Sequence, residues 1–136
     1  MGGCAQNLEL RTVLVLGHPG TGKTRLMQEI TGFEPALDPH LGALVALHGA
    51  LRLVEPLCDD QARARWIHQL HPGCALVYVV GPGDAQAQLY DLQVLSRSEA
   101  VRGVRVVIFA DEEVPDFETV RTTDDLQGWL MALGHG

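Results

Sequence analysis

The sequence has few cysteines, and their arrangement excludes two classes of protein. Cys4, Cys58 and Cys74 are odd in number, widely spaced and never part of a Cys-x-x-Cys pair. This pattern argues against a disulfide framework and against a structural zinc site. The expected compartment is therefore the reducing cytoplasm.

Long hydrophobic runs and an excess of positive charge are also lacking. No apolar stretch approaches the ~20 residues that span a bilayer, and the first residues lack the basic and apolar regions of a signal peptide. The formal net charge is −7 at pH 7, whereas a general binder of nucleic acid or of anionic membranes needs a basic face. We therefore expect no nucleic-acid partner.

What the sequence does contain fits one globular domain. Its 136 residues are 46% hydrophobic and only 5% aromatic, with frequent glycine and proline. A chain of this length buries most of its apolar surface when it folds, and neither a repeat nor a low-complexity linker divides it. We expect a flexible N-terminal segment over residues 1–10 and a single domain over residues 11–136.

The N-terminal segment leaves two alternatives open. Gly2 is in the position for N-myristoylation, and Cys4 lies where a palmitoyl chain can be added. Gln6, however, stands where the usual acceptor pattern has Ser or Thr. A plain disordered tail is the favoured interpretation, and acylation of Gly2 or Cys4 with peripheral membrane contact is the alternative.

Two hydrophobic patterns alternate along the proposed domain. Continuous aliphatic runs are typical of buried parallel strands, and apolar residues three or four positions apart are typical of helices packed on a sheet. The predicted strands span residues 11–16, 74–80 and 104–110, and the predicted helices span residues 23–30, 60–70, 124–133 and the stretch after Asp84 that carries Leu89, Leu92 and Leu95. This alternation implies an α/β fold with helices on both faces of the sheet.

The segment between the first and second predicted helices breaks the alternation. Residues 33–41 carry two prolines and are predicted to form an extended loop. Two apolar runs follow, residues 43–47 and 51–54, and the short connection between them contains Gly49, which is typical of a hairpin. We therefore expect a three-layer sandwich around a mostly parallel sheet of about five to six strands.

One octapeptide carries the strongest functional signal. It fits the pattern G-x-x-x-x-G-K-[ST] at each fixed position, between a predicted strand and a predicted helix. Its glycines let the backbone approach phosphate oxygens closely, and the helix that follows offers its positive end to an anion. The residues are Gly17, His18, Pro19, Gly20, Thr21, Gly22, Lys23 and Thr24.

The pattern also assigns tasks to two side chains. Lys23 would bridge the β- and γ-phosphates of a nucleotide, and the hydroxyl of Thr24 would ligate Mg²⁺. The pattern leaves open which nucleotide is bound and whether it is hydrolysed. An ordinary turn between strand and helix is the alternative interpretation.

The order of the elements resembles that of Ras-like small GTPases and, within them, the ADP-ribosylation factor (Arf) and Arf-like branch. The resemblance covers roughly residues 10–117. Residues 39–42, Pro-His-Leu-Gly, are similar to the Pro-Thr-x-Gly of Arf-like switch I, and Arg63 and Trp66 match the Arg-x-x-Trp of switch II. Residues 107–110, Val-Ile-Phe-Ala, resemble the strand that leads into the guanine-specificity loop.

The chain departs from the family in both switches. His40 stands where the family has a Thr that ligates Mg²⁺, and Glu55, Cys58 and Asp59 match the Asp, Gly and Gln of its Asp-x-x-Gly-Gln segment. The resemblance implies that Glu55 holds Mg²⁺ through water. It also implies that Asp59 occupies the catalytic position, where its negative charge opposes hydrolysis.

Base recognition departs from the family as well. Asp111 begins an acidic stretch in place of the family's Asn-Lys-x-Asp. By resemblance, Asp111 contacts the base, and Arg25, directly after the octapeptide, completes the nucleotide contacts. An exposed acidic turn before Pro115 is the alternative interpretation of the Asp111 stretch.

The resemblance implies a P-loop NTPase fold and an Arf-like protein that binds GTP or GDP with Mg²⁺. Such a protein acts as a nucleotide-dependent switch or adaptor in intracellular trafficking or signalling, with effector or regulatory proteins as partners and weak or absent hydrolysis. Two further hypotheses stay open. One is a pseudo-GTPase interaction module without a nucleotide cycle, and the other is a P-loop ATPase or nucleotide kinase.

Overall fold

The computed structural model describes residues 11–40, 42–56, 67–68, 70–71 and 73–135. Within them the chain forms an α/β fold with one seven-stranded sheet and three complete α-helices. The strands are β1 (Arg11–Gly17), β2 (Ala36–Asp38), β3 (Ala43–His48), β4 (Leu51–Pro56), β5 (Ala75–Val79), β6 (Arg105–Phe109) and β7 (Thr119–Val120). The helices are α1 (Lys23–Thr31), α2 (Ala85–Ser96) and α3 (Thr123–His135), with a 3₁₀ turn at Glu99–Val101.

The sheet is mixed, with the strand order β2-β3-β4-β1-β5-β6-β7. β1 lies at the centre with a parallel neighbour on each side, β4 and β5, and the parallel pairing continues through β6 to β7. β3 pairs antiparallel with both β2 and β4. The sheet is therefore parallel around β1 and antiparallel at one end, where the predicted hairpin is confirmed.

Two short strands correct the prediction of five to six. Residues 36–38 form the edge strand β2, although the prolines on either side predicted a loop. An edge strand forms ladder hydrogen bonds on one side only, so prolines just outside it are tolerated. The second is β7, which pairs with β6 over only two residues after the turns of residues 110–118.

Side chains alternate across the sheet and form a core on each face. On one face, α1 and α3 pack over Val13, Val15 and Val77. On the other face, α2 packs over Leu14 and Tyr78. Consecutive residues of β1 are buried on both sides, as expected for a parallel strand covered by two layers of helix. The three-layer arrangement with helices on both faces is confirmed.

β1 is also the point where the connections of the sheet change direction. The chain first runs from β1 to the β2–β4 side, and it later returns to the other side to form β5, β6 and β7. In open α/β sheets, ligands bind beyond the carboxyl ends of the strands at such a point. The carboxyl end of β1 is Gly17, the first residue of the octapeptide.

Several predictions concern residues outside the described part of the chain. They include the N-terminal segment with Gly2 and Cys4, and most of the helix predicted over residues 60–70. Among the helices that the structure describes, none combines the length and the apolar character needed to cross a membrane.

Candidate anion-binding site

Residues 17–24, called here the glycine loop, connect β1 to α1. Gly20 and Gly22 have φ values of 80° and 92°, which lie in a region that side chains rarely tolerate. Gly22 is the N-cap residue of α1 and supplies no side-chain capping bond. The first N–H groups of a helix lack intrahelical partners, and together with the helix dipole they favour an anion.

The side chain of Lys23 folds back across the glycine loop. It is only 6% exposed, and its Nζ donates to the carbonyl oxygens of Gly17 at 3.1 Å and of His18 at 2.9 Å. Within the described part of the chain, no carboxylate forms an ion pair with this ammonium group. A buried cation is costly unless an anion lies beside it, so the loop holds a positive charge that suits an external anion.

Thr24 and Glu55 come together from α1 and β4. The hydroxyl of Thr24 donates to Glu55 Oε1 at 2.7 Å, and the Glu55 side chain is buried. Both groups offer the oxygen ligands that Mg²⁺ prefers, and Mg²⁺ commonly takes its remaining ligands from water and phosphate. Among the described residues no cluster of three or more His, Cys, Asp or Glu side chains forms a complete metal site. The pair therefore fits Mg²⁺ only in company with such external oxygens.

Other side chains brace the glycine loop. Thr21 Oγ1 donates to the carbonyl oxygen of His18 at 2.8 Å, inside the loop. His18 Nε2 lies 3.8 Å from Asp91 Oδ2 on α2, and the same carboxylate oxygen accepts from the hydroxyl of Tyr78 at 3.1 Å. The loop is therefore held both from within and from the α2 side of the sheet.

The turn after β5 packs directly on the glycine loop. A Cβ at Gly81 would lie 2.7 Å from both Cα and the carbonyl oxygen of Thr21, so only glycine fits without a shift. Gln88, which is 1% exposed, fixes this turn: its Oε1 accepts from Gly81 N at 2.9 Å and its Nε2 donates to Gly81 O at 3.0 Å.

Sequence reasoning assigned no part in the site to Gly81 or to Gln88. A Gly-Pro-Gly segment after a buried strand is a signal that could have pointed to Gly81. Nothing in the sequence distinguishes Gln88 from an ordinary surface glutamine, because its role depends on the approach of α2 to the turn.

Two cavities flank the Gly81–Pro82 turn. The first, of about 310 Å³, opens beside Gly20–Gly22 and is lined further by Arg25, Leu26, Glu29, Pro82 and Phe109. The second, of about 290 Å³, is lined by residues of α2 and by residues 110–115. Arg25 therefore lines the cavity beside the glycine loop, whereas Asp111 lines the second cavity.

Of the other candidate site residues singled out in the sequence, the structure describes only His40. Asp59, the position implied for catalysis, lies outside the described residues, as do Cys58, Arg63 and Trp66. His40 lies in an exposed turn after β2, where its backbone N–H donates to Asp38 Oδ1 at 3.0 Å.

Comparison with known proteins assigns no family. A scan against protein-family models finds no match, and neither does a search of the curated proteins. The site is therefore characterised by its own geometry. It combines a glycine-rich loop at the carboxyl end of a central strand, a buried ammonium group, and a hydroxyl–carboxylate pair.

Proposed function

We propose that this chain has a P-loop NTPase fold and is a guanine-nucleotide-binding protein of Arf-like type. It acts as a nucleotide-dependent switch or adaptor in intracellular trafficking or signalling, with effector or regulatory proteins as partners. The observation that carries the proposal is Lys23, whose ammonium group is buried in the glycine loop against two carbonyl oxygens. The phosphates of a nucleotide supply the negative charge that this group needs.

Each group of the site has a task in the proposed complex. Lys23 keeps its bonds to Gly17 and His18, which leaves one of its three N–H donors for phosphate. A hydroxyl donates one hydrogen and has two lone pairs, so Thr24 could keep its bond to Glu55 and still offer a lone pair to Mg²⁺. Glu55 would hold the metal through water. When bound, Mg²⁺ neutralises charge on the phosphate oxygens.

Weak or absent hydrolysis is part of the proposal. In the family that the sequence resembles, a Gln orients the attacking water, and Asp59 stands at that position here. A carboxylate there adds a negative charge beside a triphosphate that already carries several negative charges. The nucleotide would therefore control the shape of the protein rather than be consumed quickly.

One observation favours a second candidate, a pseudo-GTPase interaction module without a nucleotide cycle. Thr24 and Glu55 already satisfy each other at 2.7 Å, and Lys23 is hydrogen-bonded to two carbonyl oxygens. The loop thus holds its shape through its own hydrogen bonds. In this candidate the fold is kept as a scaffold for partner proteins.

The test uses the fact that Lys23 is the only lysine in the sequence. Protein labelled with ¹³C-lysine gives one set of lysine side-chain NMR signals, which is followed while GDP, GTP or ATP is added with and without Mg²⁺. Calorimetry measures the affinities in parallel. We expect guanine nucleotides to bind with nanomolar to micromolar affinity and to shift the Lys23 signals.

Two variants complete this experiment. Lys23→Ala should abolish binding, whereas Arg102→Ala, which removes an exposed cation elsewhere, should leave it intact. If none of the three nucleotides binds, the switch proposal is overturned in favour of the interaction module. A preference for ATP would instead support an ATPase or nucleotide kinase.

A further inference from the structure

We propose that Glu29 on α1 selects the base of the nucleotide. This inference rests on the proposed function and deepens it. The cavity of about 310 Å³ joins the glycine loop to Arg25, Glu29 and Phe109. A ligand whose phosphates lie on the glycine loop therefore has this cavity beside it for its remaining part.

The cavity has the size and reach that a nucleoside needs. Its volume lies at the lower end of the range typical of small-molecule sites, roughly 300–1,000 Å³. Glu29 follows Lys23 by six residues on α1, which places it about 9 Å further along the helix axis. This separation is comparable with the distance from a phosphate group to the far edge of a base.

The Glu29 carboxylate is partly exposed, forms two hydrogen bonds and still has acceptor capacity. Its Oε1 accepts from Arg25 Nε at 3.2 Å, and its Oε2 accepts from Thr123 Oγ1 at 3.1 Å. A carboxylate offers about four lone-pair sites, so each oxygen can accept a further hydrogen bond. The two oxygens together can therefore receive a pair of neighbouring donors.

This acceptor pair distinguishes between purines. Guanine presents two neighbouring donors, the N1–H and the amino group at C2, whereas adenine has an acceptor at N1. An acceptor-only carboxylate pairs with the first arrangement and repels the second. Glu29 therefore favours guanine over adenine.

Phe109 contributes to affinity rather than to selectivity. It ends β6, is half-buried, and lines the cavity together with residues of α1. Stacking of a base on an aromatic ring is tolerant of sequence, because every base has a π-face. Arg25 and Glu29 are one helical turn apart and form an ion pair at 3.2 Å on the partly exposed face of α1. Discrimination between bases is thus assigned to Glu29.

This assignment differs from the sequence-based interpretation, which gave the base contact to Asp111. Asp111 lines the cavity on the other side of the Gly81–Pro82 turn, together with Glu112 and Glu113. It is exposed there, as the alternative interpretation of an acidic turn expects.

Glu29→Gln in the full chain tests the inference, with GDP, IDP and ADP as probes. Inosine differs from guanosine only in lacking the amino group at C2. The wild type should bind GDP about tenfold or more tightly than IDP or ADP, the size expected for a hydrogen bond to a charged group. In Glu29→Gln the GDP and IDP affinities should agree within about twofold, because an amide can no longer accept from both donors.

Asp111→Asn is the matched control, since it makes the same carboxylate-to-amide change at the other cavity. It should keep the preference for GDP over IDP. If no diphosphate binds to the wild type or to either variant, the proposed function itself fails. If all three proteins bind but Glu29→Gln keeps the GDP preference, or Asp111→Asn loses it, the role of Glu29 is overturned while the phosphate site stands.

Discussion

Replacing Gly81 by alanine should disturb the glycine loop from outside it. The added Cβ would lie 2.7 Å from Cα and the carbonyl oxygen of Thr21, and 2.8 Å from its Cβ. A backbone cannot swing aside as the end of a flexible side chain can, so either the turn or the loop must shift. Overpacking of this kind costs about 1–3 kcal/mol in the free energy of unfolding.

Gly128→Ala provides a matched control, for which we expect the opposite change in the free energy of unfolding. Gly128 lies within α3, and a Cβ there meets nothing within 4 Å. Alanine is more stable than glycine in a helix interior by about 0.5–1 kcal/mol. The same substitution should therefore destabilise the protein at Gly81 and stabilise it at Gly128.

Urea unfolding followed by tryptophan fluorescence measures both variants. With an m value of about 1–3 kcal/mol/M, Gly81→Ala should lower the urea midpoint by roughly 1 M, and Gly128→Ala should raise it by a few tenths. GDP affinity should fall in Gly81→Ala only, because only that variant displaces the loop. A wild-type midpoint and m value in Gly81→Ala would refute the idea that the turn constrains the loop.

Two further substitutions test single hydrogen bonds. Thr24→Val removes the donor to the buried Glu55 carboxylate and should lower the free energy of unfolding by about 1–3 kcal/mol. The loss should be smaller in a Glu55→Gln background. An unchanged melting temperature in Thr24→Val would contradict a stabilising role for this hydrogen bond. Asp84→Ala removes the side chain that caps α2 by accepting from Ala87 N at 3.1 Å and should cost about 1 kcal/mol. Asp84→Asn should keep most of that stability in urea unfolding, and an equal loss in both variants would contradict the capping role.

Hydrophobic patterns predicted the elements whose burial is encoded locally. β1, β5 and β6 are continuous apolar runs because helices cover both faces of the parallel part of the sheet. β2 was missed because Pro35 and Pro39 are turn residues, and its pairing with β3 depends on tertiary position at the sheet edge. β7 has two residues, too few to show any period.

The candidate site was predictable in part for the same reason. Glycines with positive φ and the N-terminus of a helix are local features, so the octapeptide alone predicted the geometry of the glycine loop. Thr24 came from the octapeptide pattern and Glu55 from the family resemblance, and the two side chains meet at 2.7 Å. Gly81 and the proposed base contact, Glu29, could not be found this way. Gly81 matters only through packing on Thr21, and Glu29 has the spacing of a solvent-exposed partner of Arg25.

The central place of β1 has a consequence for how the protein forms. β1 precedes all the other strands of the sheet, yet its partners begin only at Leu51 and Ala75. Pairings between such distant parts of a chain form slowly, because a long loop must close first. The turn carrying Gly81 follows β5, so it reaches Thr21 only once that distant strand has docked. Nascent chains that stop short of β5 therefore lack the packing of Gly81 on Thr21, and the glycine loop gains this support only after β5 has joined the sheet.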